Sequence, residues 1–265
     1  AVVYAWQVLD RDEVSPSESF DFVGMLLLSP GLALFLYGVS SIPAAKVEHG
    51  TMFTSQVVIT SLIGIALVAA FVPWALRKHN IHPLVQLRLF TNRYMTVAVV
   101  TMTLFAMAFF GASLLFTLYF QQVRGESPLS SGWLVAPQGF GAMLTMPIAG
   151  FLADKIGPGK VVLTGLVLDT AGMAMLIGVD DQASYGYIIT AFVVMGLGMG
   201  STMMPIFTAA LASLKDHDIA RGSTLMNITQ QIAISMGTAL FSVLLTNAYN
   251  DHAATVGPTL ALQNG

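Results

Sequence analysis

Four polar side chains stand out because they lie inside long apolar runs: Gln138, Asp169, Asn227 and Gln231. A carboxylate at such a depth can bind a proton or a cation, because ionisable groups within membrane spans are costly and usually functional. It can equally be held by hydrogen bonds to a neighbouring helix, and Asp169 has no obvious acidic partner in the sequence. Asn227 and Gln231 are four residues apart and would share one helix face. Amides in lipid need partners or water, so these should point at a neighbouring helix or into a cavity; both readings stand at this point. A further polar stretch, Gly150 to Lys160, sets Asp154, Lys155 and Lys160 among Gly157, Pro158 and Gly159 between two apolar runs. It predicts a tight hairpin at one membrane face.

The rest of the composition says what must position these groups. Charged residues are 9% of the chain, against about 25% in soluble domains. Hydrophobic residues are 55% and the mean hydropathy is +0.74, so the chain is read as an all-α, polytopic integral membrane protein. A net charge of −3 lacks the basic footprint that nucleic-acid binding requires. There is no cysteine, which excludes disulfides, thiol catalysis and thiolate metal sites. The five histidines show no metal-ligand spacing, and no paired-carboxylate or Ser/Lys constellation suggests an enzyme; no cofactor or metal is expected. The first residues are apolar but lack a basic flank and a cleavage site, so they are not a signal peptide. With no starting Met, the chain reads as a piece of something longer.

Apolar runs of about 20 residues, enough for a hydrocarbon core of about 30 Å, fall at about 22–42, 53–76, 94–120, 132–153, 161–179, 185–211 and 222–248. Residues 1–20 read as the end of a preceding helix and a loop, and 249–265 as a loop. With seven spans, one side holds Arg11, Arg77, Lys78, Arg88, Arg93, Lys155, Lys160, Lys215 and Arg221, while the other holds only Lys46 and Arg124. Basic loops favour the cytoplasm. The loops at 77–93, 154–160 and 212–221 are therefore expected to be cytoplasmic and the tail extracytoplasmic.

Two further features bear on packing and on a cavity. Gly196 and Gly200 have the small-xxx-small spacing that lets helix backbones approach closely, and Pro205 beyond them should kink the same helix. Fifteen Met and sixteen Phe make adaptable apolar surface. In the third span Phe109, Phe116 and Tyr119 are the candidates for a cavity wall, although Tyr119 also sits where interfacial anchoring would explain it.

Gly150-x-x-x-Asp154-Lys155-x-Gly157, followed by Lys160, resembles the cytoplasmic loop motif of the major facilitator superfamily. Pro158-Gly159 stands in place of a basic pair, which suits the looser copy in that family's second bundle. Tyr119 to Gly132 with Pro137, Pro83 to Arg93, and Gly222-Ser-Thr-x-x-Asn227 through Gly237-Thr238 resemble, in order, pieces of the fourteen-helix drug:proton antiporter branch. The resemblance implies two linker helices within 21–93, five of the six C-terminal bundle helices within 94–248, and an N-terminal bundle elsewhere in the same protein. It implies a proton-coupled exporter of amphipathic drugs in the cell membrane, working by alternating access with small molecules, protons and the bilayer as partners. Gly150, Asp154, Lys155, Gly157 and Lys160 would then form a gating loop, with the first glycine permitting close packing. Gln138, Asn227 and Gln231 would fall on cavity-side helices, and Asp169 on a peripheral third helix.

Other readings are an exporter of a specific lipid or metabolite, and a seven-helix receptor or light-driven pump. The last would need an outside N-terminus and, for a retinal pigment, a lysine in the final helix; the charge bias puts the N-terminus inside, and no lysine lies within a span.

Overall fold

The computed structural model describes residues 21–51, 53–77, 85–180 and 182–263. Among them every regular element is helical. The chain runs α1 (Phe22–Ser40), α2 (Ile42–His49), α3 (Ser55–Leu76), a 3-10 turn (Leu87–Thr91), α4 (Arg93–Leu118), a π-helical turn (Tyr119–Val123), α5 (Pro128–Ile156), α6 (Pro158–Met175), α7 (Tyr185–Ala212) and α8 (Asp216–Gln263). Among the described residues six helices are long and apolar enough to cross a membrane: α1, α3, α4, α5, α7 and α8. At 18 residues, α6 is about 27 Å long, close to the hydrocarbon thickness.

The helices form two groups. In the first, α1 packs along α3, with Gly31, Gly38 and Gly64 at the seam. The start of α1 is tied to the end of α3 by Asp21, whose Oδ1 accepts from Gly24 N at 2.8 Å and from Trp74 Nε1 at 2.9 Å. In the second, α7 lies between α5 and α6, and α4 packs along α8 while touching α7. One apolar cluster joins the groups: Leu28, Phe71 and Ala75 meet Leu89, Met95, Met102, Ile206 and Met226. A second cluster, with Phe105, Phe109, Phe120, Ile188, Phe192 and Met195, fills the bundle toward its other end.

Helix direction fixes two ends. Arg77, Arg88, Arg93, Lys155, Lys160, Lys215 and Arg221 lie at the end that carries Gly157, and Arg124 lies at the opposite end. This is the division of basic residues expected from the sequence; Arg11 and Lys78 lie outside the described residues, as does the expected helix end and loop at 1–20.

The structure corrects several boundaries. The polar stretch around Lys46 is the short helix α2, closed by Gly50 in the left-handed region (φ 69°). The fifth span stops at Met175 rather than Val179, because the chain turns through Leu176 to Gly178 (φ 76°). The 249–265 tail, expected as a loop, is helical through Gln263; its alanines and leucines are good helix formers that outweigh Gly257 and Pro258. The expected loop at 154–160 is almost wholly helix. Asp154 and Lys155 occupy the last turn of α5, and Lys160 the first turn of α6, leaving Gly157 as the one non-helical residue between them.

Candidate functional site

The α5–α7–α6 sandwich is held at backbone distance by glycines on opposite faces of α7. A Cβ on Gly196 would fall onto the Gln138 carbonyl oxygen of α5 and lie 3.0 Å from Gln138 Cα. Two residues on, and on the other face, a Cβ on Gly198 would lie 2.8 Å from Asp169 Cα and 2.7 Å from the Gly165 oxygen of α6. The small-xxx-small pair therefore does pack closely, and Gly198 extends the seam to the second neighbour. Pro205 is inside α7 and fully buried.

This packing places two of the sequence candidates on either flank of α7. Gln138 and Asp169 are each 6% exposed. Among the described residues, Gln138 Nε2 and Asp169 Oδ1 have no hydrogen-bond partner. Gln138 is thus wedged in the α5–α7 interface rather than open to a cavity.

Asn227 and Gln231 lie elsewhere, on α8, and both are exposed. Asn227 Nδ2 donates to the Ser223 oxygen of its own helix at 2.9 Å. They belong to a longer stripe. Thr224, Asn227, Gln231, Ser235, Thr238 and Ser242 fall within an arc of about 80° at 3.6 residues per turn, and none of them is buried. The opposite face is apolar and tight: Met226 and Ala233 are fully buried, and a Cβ on Gly237 would lie 2.8 Å from Met107 Cα of α4. The three hydroxyls beyond Gln231 were legible as continued helical spacing, although the amides alone had drawn notice.

The aromatic candidates divide. Phe109 is 2% exposed inside the second core cluster, stacked on Phe105 at 5.3 Å, so it does not line an open cavity. Phe116 and Tyr119 line a pocket of about 170 Å³ with Phe120, Leu176, Ile188 and Phe192. That pocket lies between α4, α6 and α7, away from the α8 stripe.

Tyr119 also belongs to a clasp that sequence reading missed, because its members come from three separate loops and helices. Arg124 Nε donates to Tyr119 Oη at 3.0 Å, and Arg124 Nη2 donates to the Ala183 oxygen. Tyr119 Oη donates to the Asp180 oxygen at 2.6 Å, and Tyr185 Oη donates to Glu126 Oε1 at 2.7 Å. The guanidinium also lies 4.8 Å from the Tyr185 ring centre. Together these contacts tie the α4–α5 turn to the α6–α7 turn.

At the opposite end, the hairpin keeps its motif residues apart. Gly157 has φ 92° and ψ 141°, a region essentially restricted to glycine, and this lets α6 begin directly after α5. Gly150 is not needed for close packing: a Cβ there would meet only Met204 Cγ, at 3.8 Å. Asp154 is exposed and lines a cavity of about 350 Å³ with Tyr94, Pro158, Thr208 and Ser213. Lys155 turns back over the Phe151 ring at 4.3 Å, and Lys160 is exposed. An adjoining cavity of about 510 Å³ is walled by Val97, Thr101, Val162, Pro205 and Ile206. No cluster of metal-ligating side chains occurs among the described residues.

Comparison with known proteins agrees with this architecture. Residues 17–238 match the family model described as Major Facilitator Superfamily. The chain is 49% identical over 252 residues to a protein named "Multidrug resistance protein B homolog" of Mycobacterium tuberculosis, covering 94% of this chain and 46% of that protein. It is 27% identical over 242 residues to the "Tetracenomycin C resistance and export protein" of Streptomyces glaucescens, covering 91% of this chain and 43% of the relative. It is also 27% identical over 229 residues to "Multidrug export protein EmrB" of Escherichia coli, covering 84% and 44%. The chain thus spans less than half the length of these relatives. The glycine-packed helices, the one-residue hairpin and the extent of the match lead to one conclusion: this membrane-spanning chain belongs to the Major Facilitator Superfamily, a family of transporters rather than enzymes.

Proposed function

We propose that this chain is the C-terminal half of a secondary active exporter in the cell membrane, which moves amphipathic drugs or related small molecules outward by alternating access in exchange for protons. An N-terminal bundle of the same protein would complete the cavity. The end bearing Gly157 and most of the basic residues would face the cytoplasm, as positive loops favour. Asp154, Lys155, Gly157 and Lys160 would latch that end against the other bundle, and the exposure of Asp154 supports this role. The names of the relatives support the substrate class.

One observation carries the reading: the polar stripe of α8. Six hydroxyls and amides along one face of a membrane-spanning helix are ill matched to lipid tails. They suit a surface that meets water, substrate or a second bundle. Asn227 and Gln231 would supply donors and acceptors to a substrate otherwise held by apolar contacts.

Replacing both with leucine in the full-length protein should leave folding intact, since both side chains are exposed. Loss of two substrate hydrogen bonds should weaken drug binding by about tenfold or more. Equilibrium binding of a fluorescent drug to purified protein checks this. Unchanged affinity in a folded variant would remove the stripe from the substrate path.

A further inference from the structure

We propose that Asp169 is a proton-binding site of the transport cycle, taking up a proton when the α6–α7 seam closes and releasing it when the seam opens. This rests on the antiport reading for its place in the cycle but not for the binding of the proton itself.

The position of Asp169 on a peripheral helix would ordinarily place it outside the proton path. Its surroundings say otherwise. Asp169 is the twelfth residue of the 18-residue α6, so it lies near mid-membrane rather than at a headgroup level. Its backbone packs on α7, with Cα against Gly198, and the residue is buried rather than exposed on the outer surface. The carboxyl is buried, and Oδ1 has no donor or cation within reach among the described residues. A structural acid in such a seam would be expected to accept hydrogen bonds from the neighbouring helix, because unpaired polar atoms there are costly. The hydroxyls of Thr202, at the seam beside Gly165, and of Thr170, next in sequence, donate instead to the Gly198 and Leu166 oxygens of their own helices, at 2.9 and 2.7 Å.

Nor does a fixed charge balance the site. On α7 the only titratable residues are Tyr185 and Tyr187, both at its far end, and the Tyr187 hydroxyl donates to the Met175 oxygen. On α5 they are Asp154 and Lys155, in its last turn. On α6 itself Lys160 is nine residues away, about 13 Å along the axis. Among the described residues, therefore, no cationic side chain pairs with Asp169 across the seam, and an unpaired buried charge is costly.

The α6–α7 seam is glycine-lined, with Gly165 against Gly198 and Thr202 and Gly172 against Met195, so few bulky side chains interlock across it to oppose a shift. On its other flank α7 meets α5 at Gln138. A shift of α7 that admits water would let the carboxyl O–H bond break, with the proton leaving to that water. Closure would require the bond to form again.

The test is carbodiimide labelling. Dicyclohexylcarbodiimide partitions into membranes and adds to protonated carboxylic acids, leaving a mass-detectable adduct. Full-length protein in native membranes is treated over a series of pH values and the peptide containing Asp169 is quantified, with the peptide containing the exposed Asp154 as a comparison. Labelling of Asp169 should fall by about tenfold or more toward alkaline pH, following its proton occupancy, and should exceed that of the water-exposed Asp154, which a membrane-partitioning reagent reaches poorly. No adduct at Asp169 at any pH, or an adduct level independent of pH, would overturn the proposal.

A second measurement places the site in the cycle. In proteoliposomes Asp169→Glu should retain drug-driven proton flux, and Asp169→Asn should lose it while still binding drug. Wild-type flux in the Asp169→Asn protein would also overturn the proposal. If the wild-type protein itself moved no protons, the antiport reading would fail, and the labelling profile alone would decide whether Asp169 binds one.

Discussion

Gly196→Val is expected to abolish folded full-length protein, seen as loss of the monodisperse peak and of cooperative unfolding in detergent. A β-branched side chain at 196 would meet the Gln138 backbone of α5, which cannot rotate away as a side-chain tip would. Overpacking a rigid interface costs about 1–3 kcal/mol where neighbours can yield, and more where they cannot. Here α5 would have to move away from α7 along their length, taking the other close contacts with it, from Gly141 against Val193 to Gly200 against Ala142. Membrane helices gain little from hydrophobic burial against each other, so lost backbone proximity is not made good elsewhere. Gly139→Ala is the matched comparison. It sits on the same helix as Gln138 with nothing within 4 Å of a built Cβ, and should be tolerated or slightly stabilising. A folded Gly196→Val protein with an unchanged melting temperature would show that the α5–α7 seam is wider than described.

Arg124→Ala carries the second large effect. The guanidinium donates to Tyr119 Oη and to the Ala183 oxygen, and lies over the Tyr185 ring. Removing it takes away at least two hydrogen bonds and cation–π contacts with two tyrosine rings at a half-buried site, a loss of about 1–2 kcal/mol. The local consequence exceeds the global one, because the α6–α7 turn is short and otherwise held by a few backbone bonds and the Tyr119 and Tyr185 hydroxyls. Amide exchange around Val179 and Ala183 should quicken by about tenfold, as expected for a local opening made about 1.4 kcal/mol easier. Arg124→Lys keeps the charge without the planar fork and should fall between the two. Unchanged exchange in Arg124→Ala would mean that the clasp does not hold the two turns together.

Much of the fold was legible in the sequence because the bilayer simplifies the problem. A run such as 53–76 has to be helical in lipid, and the structure places α3 at Ser55–Leu76. The charge bias of the loops and the Gly196/Gly200 spacing were equally readable, since each follows from local pattern. What sequence could not supply was lateral arrangement. Phe109 and Phe116 lie seven residues apart on one face of α4, yet one is sealed in the core and the other borders a pocket, because the neighbouring side chains close over the first and not over the second. Gln138 is covered for the same reason: Gly196 brings α7 onto it. Asp154 and Lys155 read as loop residues through their polarity, but Gly157 alone makes the turn and the helix runs on to Ile156. The Arg124 clasp joins residues about 60 positions apart and leaves no periodic trace.

The central claim, that this chain is half of a proton-coupled exporter, is tested most directly with purified full-length protein in proteoliposomes that hold a pH gradient and a trapped pH dye. Adding an amphipathic cationic drug should drive proton movement against the direction of drug movement, and the Asn227→Leu/Gln231→Leu variant should need more drug for the same response. A dye signal unmoved by any transported drug would contradict proton antiport.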